Sequence, residues 1–494
     1  MWTDGVAAID YTHAFYPEMA PAHLAFVLLL KGIAPPPLQG FRYAELGCGQ
    51  GLTTNLLACL HSDARFEAVD VLPSHIAGAR ALAEESGHDN VQFFEETFAA
   101  FAGRGGQDLD IIALHGVWSW VSDENRRILL DIIGRRLKPG GAVFLSYNCL
   151  PGWAADMPVR HLLLERVAAE HGPLPQRIDR ALDFMRRLSQ QGGYFDHAPS
   201  AAALLESLRG KTDNYIAHEY LNRDWSPFYH ADIAAQMAGL DFAASATVLD
   251  HLDGWRLSSE AAALVAEAEG AARETLRDTL TYTRFRRDIF VREPRHLSKA
   301  ERREHLGALR FGLIVPRNDV PESATSSTGD QVLPAALYIP LVDALVEPKS
   351  LDQLAAQLPH PFDAIVEALM VLVSLGAAAP SLGEGDAERC RRFNGAVLAR
   401  NRHSPDIRQL AVTIWGTGLV VDVLDRLFLL AEREGADPTA FAWMVLTERG
   451  KRLRRDGRWL ETAEDNLAEL KRLHGDFVRL RRGRLAALGI NPAR

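Results

Sequence analysis

Glycines at 47, 49 and 51 alternate with Cys48 and Gln50 in the stretch Glu45-Leu46-Gly47-Cys48-Gly49-Gln50-Gly51. Glycine adopts positive φ readily and leaves no β-carbon where a ligand must approach the main chain. A strand pattern from Phe41 leads into this turn, and a helical pattern leaves it at Leu52. A second strand pattern, Arg65 to Val69, ends on Asp70 about nineteen residues past Gly51. An acid at that strand tip accepts from ribose hydroxyls, so turn, helix and acid describe a nucleoside pocket with Asp70 and Val71 on its rim. The dinucleotide form of such a pocket wants a small residue where Leu52 or Thr54 stands, counting from Gly47 or Gly49. Neither fits.

Three more stretches carry side chains suited to chemistry. His115-Gly-Val-Trp-Ser-Trp-Val121 follows the strand Leu109–Leu114, at the carboxyl edge where ligands of parallel sheets bind. Ser146-Tyr-Asn-Cys-Leu-Pro-Gly-Trp153 follows a fifth strand, Ala142 to Tyr147, and His218-Glu-Tyr-Leu-Asn222 lies further on. The elements that position them alternate strand and helix from Phe41 to Tyr147, with a third strand at Val91–Phe94, the pattern of a Rossmann-like α/β sheet. Helical patterns fill about residues 154–211. A strand over Asn214–Leu221, a helix to Gly239 and a strand over Phe242–Leu249 are expected to close the sheet.

At 494 residues the chain is expected to hold two or three domains. Its net charge of −10 provides no global attraction for nucleic acid or anionic membrane, and neither is expected as a partner. The four cysteines form no Cys-x-x-Cys pair, which fits reduced thiols in the cytoplasm and argues against structural zinc. No metal site is expected from histidine or carboxylate spacing.

With these blocks assembled, the chain resembles bacterial class I S-adenosylmethionine-dependent methyltransferases that carry a methyltransferase regulatory domain. The resemblance rests on residues 45–51, 115–121, 146–153 and 218–222, with Phe285-Arg286-Arg287-Asp288 as a weaker fifth block. It implies a seven-stranded methyltransferase sheet with S-adenosylmethionine as cofactor. Cofactor contacts are then expected from Tyr16, Glu45, Gly47, Gly49, Gly51, Asp70, Val71, Thr97, Phe98 and His115. Thr97 and Phe98 stand where such enzymes usually place an acidic and a small residue beside adenine. Tyr11 or Tyr16, on an arm over the cofactor, would bind its carboxylate, or else staple a helix to the domain. Some members resemble rickettsial protein-lysine methyltransferases, which makes a lysine amine one acceptor and a small natural-product molecule the alternative. A catalytically silent, cofactor-binding regulator is a third reading. Tyr147, Asn148, Glu219 and Trp118 are the candidate catalytic residues, suited to a partly dry pocket that orients a neutral amine. His115 is either a base or packed against the cofactor, and His218 and Glu219 are either functional or a pair locking the closing hairpin.

The expected domains are a methyltransferase unit over 1–254 with the helical insert, a helical connecting region over 255–317, a linker over 318–331, and a mostly helical unit over 332–494. Arg284, Arg286, Arg287, Arg292 and Arg295 are expected on a solvated helix face. Residues 335–379 resemble a winged-helix module, but their acids outnumber Lys349, so a protein-contact or scaffold role is expected rather than DNA binding.

Overall fold

The computed structural model describes residues 2–3, 6–7, 11–326, 329–381, 383 and 385–490. Seven strands form one sheet in the order Val91–Glu95, Arg65–Asp70, Arg42–Leu46, Leu109–Leu114, Leu137–Asn148, Phe285–Val291 and Asp241–Ser245. The first five in that order are parallel, and the last two run antiparallel to their neighbours. Both faces are buried. Tyr43, Ile111 and Phe144 enter one core while Ala44, Ile112 and Val143 enter the other, the period-two alternation of a covered sheet. Strand order reverses between Arg42–Leu46 and Leu109–Leu114, which opens a crevice at their carboxyl ends.

The closing strands differ from expectation. Asp213–Tyr220 is a helix, capped by Thr212 Oγ1, which accepts from the Tyr215 N–H at 3.3 Å. That cap, with Ile216, Ala217 and Tyr220 at helical spacing in the insert's core, makes the segment helical although its apolar residues suggest a strand. Phe285–Val291 is instead a strand, between the fifth strand and the edge strand Asp241–Ser245. The proposed boundary at 254 therefore divides the sheet, which reaches Val291. Arg286, expected on a solvated helix, is buried among Asp278, Asp288 and Glu274.

Helices from Met157 to Tyr220 form a separate core with Trp120, Trp153 and Trp225. The expected linker contains a hairpin, Ser323–Ser326 paired with Gly329–Val332; residues 327–328 lie outside the described residues. In the winged-helix-like segment, helices Leu351–Gln357 and Phe362–Ser374 cross at 119°. The middle strand of its small sheet, Arg310–Leu313, comes from upstream of the expected module.

Pro21–Leu30 is buried almost all round and joins these parts; its Phe26 meets Phe311 edge to face at 4.9 Å. Helix Ala387–Arg400 seats the C-terminal region against the methyltransferase sheet's helices, with Arg400 bidentate on Glu85 at 2.8 and 2.9 Å. Among the described residues, no single helix is long and apolar enough to cross a membrane.

Candidate active site

The glycine turn is tied to the neighbouring strand through its main chain. The Gly47 and Cys48 N–H groups donate to the Val69 carbonyl at 2.8 and 3.0 Å. Gly47, Gly49 and Gly51 have φ of +80°, +53° and +64°, but their roles differ. A β-carbon on Gly47 would lie 2.5 Å from Val117 Cγ2, and one on Gly51 would lie 2.7 Å from the Ala79 Cβ. These two glycines permit close packing. Only Gly47 and Gly49 of the three line the cavity at the crevice, and a β-carbon on Gly49 would meet no neighbour within 4 Å.

That cavity has a volume of about 430 Å³. Asp70 stands on its rim. One carboxylate oxygen accepts from the Gly49 N–H at 2.9 Å; the other accepts from the Leu72 N–H at 3.0 Å and faces His75 Nδ1 at 3.3 Å. A carboxylate has about four acceptor sites, so capacity remains for hydroxyl donors. Val71, Thr97 and Phe98 also line this end. Thr97 Oγ1 caps the next helix by accepting from Ala100 N–H at 3.2 Å. Glu45 lies behind the turn, where it accepts from the Thr54 hydroxyl. Burial pushes its carboxyl up to about 8, so a cation entering beside it would favour ionisation.

Tyr16 and His115 form one wall, their ring centroids 3.5 Å apart. His115 Nδ1 lies 3.2 Å from Ser146 Oγ, which accepts from the Gly116 N–H at 2.9 Å. Burial, aided by the Arg287 charge, lowers the His115 pKa to about 3 and keeps the ring neutral. This favours the packed role over that of a base.

The opposite end is aromatic, with Trp120, Trp153, Tyr215, Tyr220 and Phe285 in its walls. Asn148 and Glu219 supply its polar groups. Asn148 is fixed by its main chain: its N–H donates to Ser119 Oγ and its carbonyl accepts from Phe228 N–H, both at 2.9 Å. Its side-chain nitrogen is buried without a protein partner. Glu219 accepts from the Tyr11 hydroxyl at 2.9 Å, and burial raises its pKa. The expected His218–Glu219 hairpin lock is absent because both residues are on the helix; the His218 ring meets Tyr11 edge to face.

Two expected catalytic residues lie off the cavity lining. Trp118 is fully buried beneath it, and Arg126 donates to its carbonyl at 2.9 Å. Tyr147 is also fully buried, and its hydroxyl donates to Asp288 at 2.6 Å. Along a strand successive side chains alternate faces, so Asn148 reaches the cavity while Tyr147 turns into the core. Asp288 also faces His230 Nδ1 at 3.0 Å and pairs with Arg286. Burial opposes its ionisation, but Arg286 and His230 outweigh it and hold Asp288 at about 2.

Trp120, Trp153 and Phe285 lie within the blocks that carry the resemblance and line the cavity, although none was singled out as a site residue; His75 and Tyr215 are lining residues that the sequence reading missed. Tyr215 and Glu219 share one face of helix Asp213–Tyr220, and that face reaches the cavity only through the packing of the helical insert. Phe285, the first residue of the weaker fifth block, arrives from a strand distant in sequence, so its place in the wall has no local signal.

A parallel sheet with two closing antiparallel strands and a glycine-turn cavity at its switch point defines a class I methyltransferase fold. A family model described as "Methyltransferase domain" matches residues 44–141, and one described as "Predicted methyltransferase regulatory domain" matches residues 212–292. An uncharacterized protein of Synechocystis sp. is 36% identical over 504 residues, covering 99% of this chain and 100% of its own. An uncharacterized Rickettsia prowazekii protein is 27% identical over 230 residues, covering 43% of this chain and 87% of its own. The solved structure of PKMT2 from Rickettsia typhi in complex with AdoHcy shares the fold: the TM-score is 0.68 at 16% identity, over 97% of this chain and 99% of that one. The chain belongs to the family of methyltransferases that carry this regulatory domain.

Proposed function

We propose that this methyltransferase transfers a methyl group to an amine, with a protein lysine as the acceptor class. S-adenosylmethionine is the methyl donor; when bound, it supplies an electrophilic methyl that the acceptor displaces directly from sulfur. The residues at the glycine-turn end fit this donor: Asp70 for its ribose, Thr97 and Phe98 beside its base, and Gly47 and Gly49 leaving room for close approach. Tyr16, Val71 and His115 complete the wall. Buried Glu45 suits the donor's cationic methionine end.

The acceptor reading rests on one observation: Asn148 and Glu219 face the same cavity from an aromatic wall. An amine with a pKa near 10.4 loses its proton at pH 7 at a cost of about 4–5 kcal/mol. Exclusion of water by the aromatic rings favours the neutral amine. Glu219 and the Asn148 amide group can orient it, and alignment contributes up to about 7–11 kcal/mol in well-oriented reactions. Trp118 and Tyr147 support this wall from the core.

Donor binding should stabilise the purified chain by about 2.7 kcal/mol at a hundredfold excess over Kd. Labelled donor incubated with cell extract then tests the acceptor. Label in a protein band that yields methyllysine on hydrolysis supports the proposal, whereas label in a small soluble product replaces it with the small-molecule alternative. Donor binding without turnover in any fraction would favour the regulatory reading.

A further inference from the structure

The arm that carries Tyr11 and Tyr16 connects the two ends of the cavity through hydrogen bonds. The Tyr11 hydroxyl donates to Glu219 Oε1 at 2.9 Å. Its main-chain N–H donates to His75 Nε2 at 3.0 Å, and His75 Nδ1 faces Asp70 Oδ1 at 3.3 Å. Because Nε2 accepts, a neutral His75 carries its proton on Nδ1, directed at Asp70. Gln50, within the glycine turn, donates to the Tyr11 carbonyl at 3.2 Å. Asp70, His75, Tyr11 and Glu219 thus form a continuous chain of contacts from the donor rim to the acceptor wall.

We propose that Tyr11 is a positioning residue that holds Glu219 toward the acceptor and couples that placement to occupancy of the donor pocket. This rests on the assignment of Glu219 to the acceptor. Two anchors make the arm dependent on the donor site: His75, braced against Asp70, and Gln50, braced by the turn. A ligand that moves either group moves the Tyr11 main chain, and the rigid phenol transmits that displacement to Glu219.

The surroundings of Glu219 make the coupling measurable. Tyr11 and Tyr16 face it from the arm, Tyr215, His218 and Tyr220 belong to its own helix, and Arg284 stands in the same cavity wall. Burial pushes Tyr16 up to about 12 and raises Tyr11, Tyr215 and Tyr220 as well, so these phenols stay neutral through the acid range. Burial also raises Glu219, while the Tyr11 hydrogen bond pulls it back down. Removing the hydroxyl therefore moves Glu219 titration to higher pH.

The test is a carbon-13 carboxyl NMR titration of the full chain, labelled at glutamate, with S-adenosylhomocysteine as the donor-site probe. Glu219→Gln identifies the resonance. In Tyr11→Phe, which keeps the ring and main-chain contacts, its midpoint is expected to rise by roughly one pH unit, the equivalent of a tenfold change. S-adenosylhomocysteine should shift the midpoint in wild type and leave it unchanged in Tyr11→Phe. His75→Ala, which cuts one of the two anchors, should keep the starting midpoint and weaken the response at saturating S-adenosylhomocysteine, and His75→Ala with Gln50→Ala should lose it. Equal midpoints in wild type and Tyr11→Phe, or an equal response to the probe, would overturn the proposal; if Tyr11→Phe fails to fold, the response of His75→Ala decides it. The acceptor assignment is checked separately by methyl transfer. If Glu219→Gln turns over like wild type while the titration shifts appear, that assignment falls and the link stands. If Glu219→Gln is inactive and Tyr11→Phe titrates like wild type, the link falls alone.

Discussion

The glycine-turn end of the cavity, proposed to hold the donor, and the aromatic end, proposed to hold the acceptor, are built differently. Much of the donor end is contiguous: Gly47 and Gly49 sit in one turn, and Asp70 and Val71 at the tip of the adjacent strand. Main-chain hydrogen bonds from Gly47 and Cys48 to Val69 hold these two pieces together. The acceptor end is assembled from side chains at Trp120, Asn148, Glu219 and Phe285, supplied by four separate segments. Main-chain geometry tolerates few substitutions but suits one common donor. An assembled wall can change residue by residue, which is how a methyltransferase scaffold acquires a particular acceptor.

Substitutions should separate the two ends. The largest effect is expected from Glu219→Gln or Asn148→Ala: turnover falls by about a hundredfold or more, the scale of a lost transition-state contact, while donor Kd changes far less, at Glu219 by no more than the coupling through Tyr11. Isothermal calorimetry beside a methyl-transfer assay would check this, and a matching loss of donor affinity would break the division. Glu45→Gln should act on the opposite end, weakening S-adenosylmethionine by about 2 kcal/mol, roughly thirtyfold. S-adenosylhomocysteine lacks the sulfonium but keeps the ammonium of that end, so a much smaller loss for it would assign Glu45 to the sulfonium and an equal loss to the ammonium.

Tyr147→Phe should fall in neither class. Removing its bond to the Asp288 carboxylate costs about 1.5–3 kcal/mol of stability by chemical denaturation, with kcat changed less than a few fold. A selective collapse of kcat would return Tyr147 to the acceptor wall.

The smallest expected effect is a difference between two pH slopes. The Glu45 carboxyl is raised from 4.5 to about 8 in the folded chain, so between these values the folded state holds a proton that the unfolded state has released. Its contribution to stability therefore falls as pH rises through that window. S-adenosylmethionine should flatten this slope more than S-adenosylhomocysteine does, measured as Tm against pH, and Glu45→Gln should abolish the difference.

The α/β alternation, the glycine turn and Asp70 were legible because each depends on residues close in the chain. Asn148 was legible for a similar reason, standing at the end of a strongly apolar strand. Reading Tyr147 beside it as catalytic missed the alternation that sends neighbours to opposite faces. The closing strands were misread because their pairing is non-local. Asp213–Tyr220 has the composition of a half-buried strand yet packs as a helix in the insert's core, and Phe285–Val291 carries charge inside the fold because its Arg286 meets the buried acids Asp278 and Asp288.

The sequence by itself determined the methyl-donor pocket, since backbone freedom at glycine and an acid at the adjacent strand tip are local properties. The tertiary structure alone decided that Glu219 and Phe285 share a wall with Asn148, that Tyr147 and Trp118 belong to the core, and that Tyr11 bridges the two ends. These outcomes depend on which distant segments pack together, and packing energy is a property of the assembled cores rather than of any one segment.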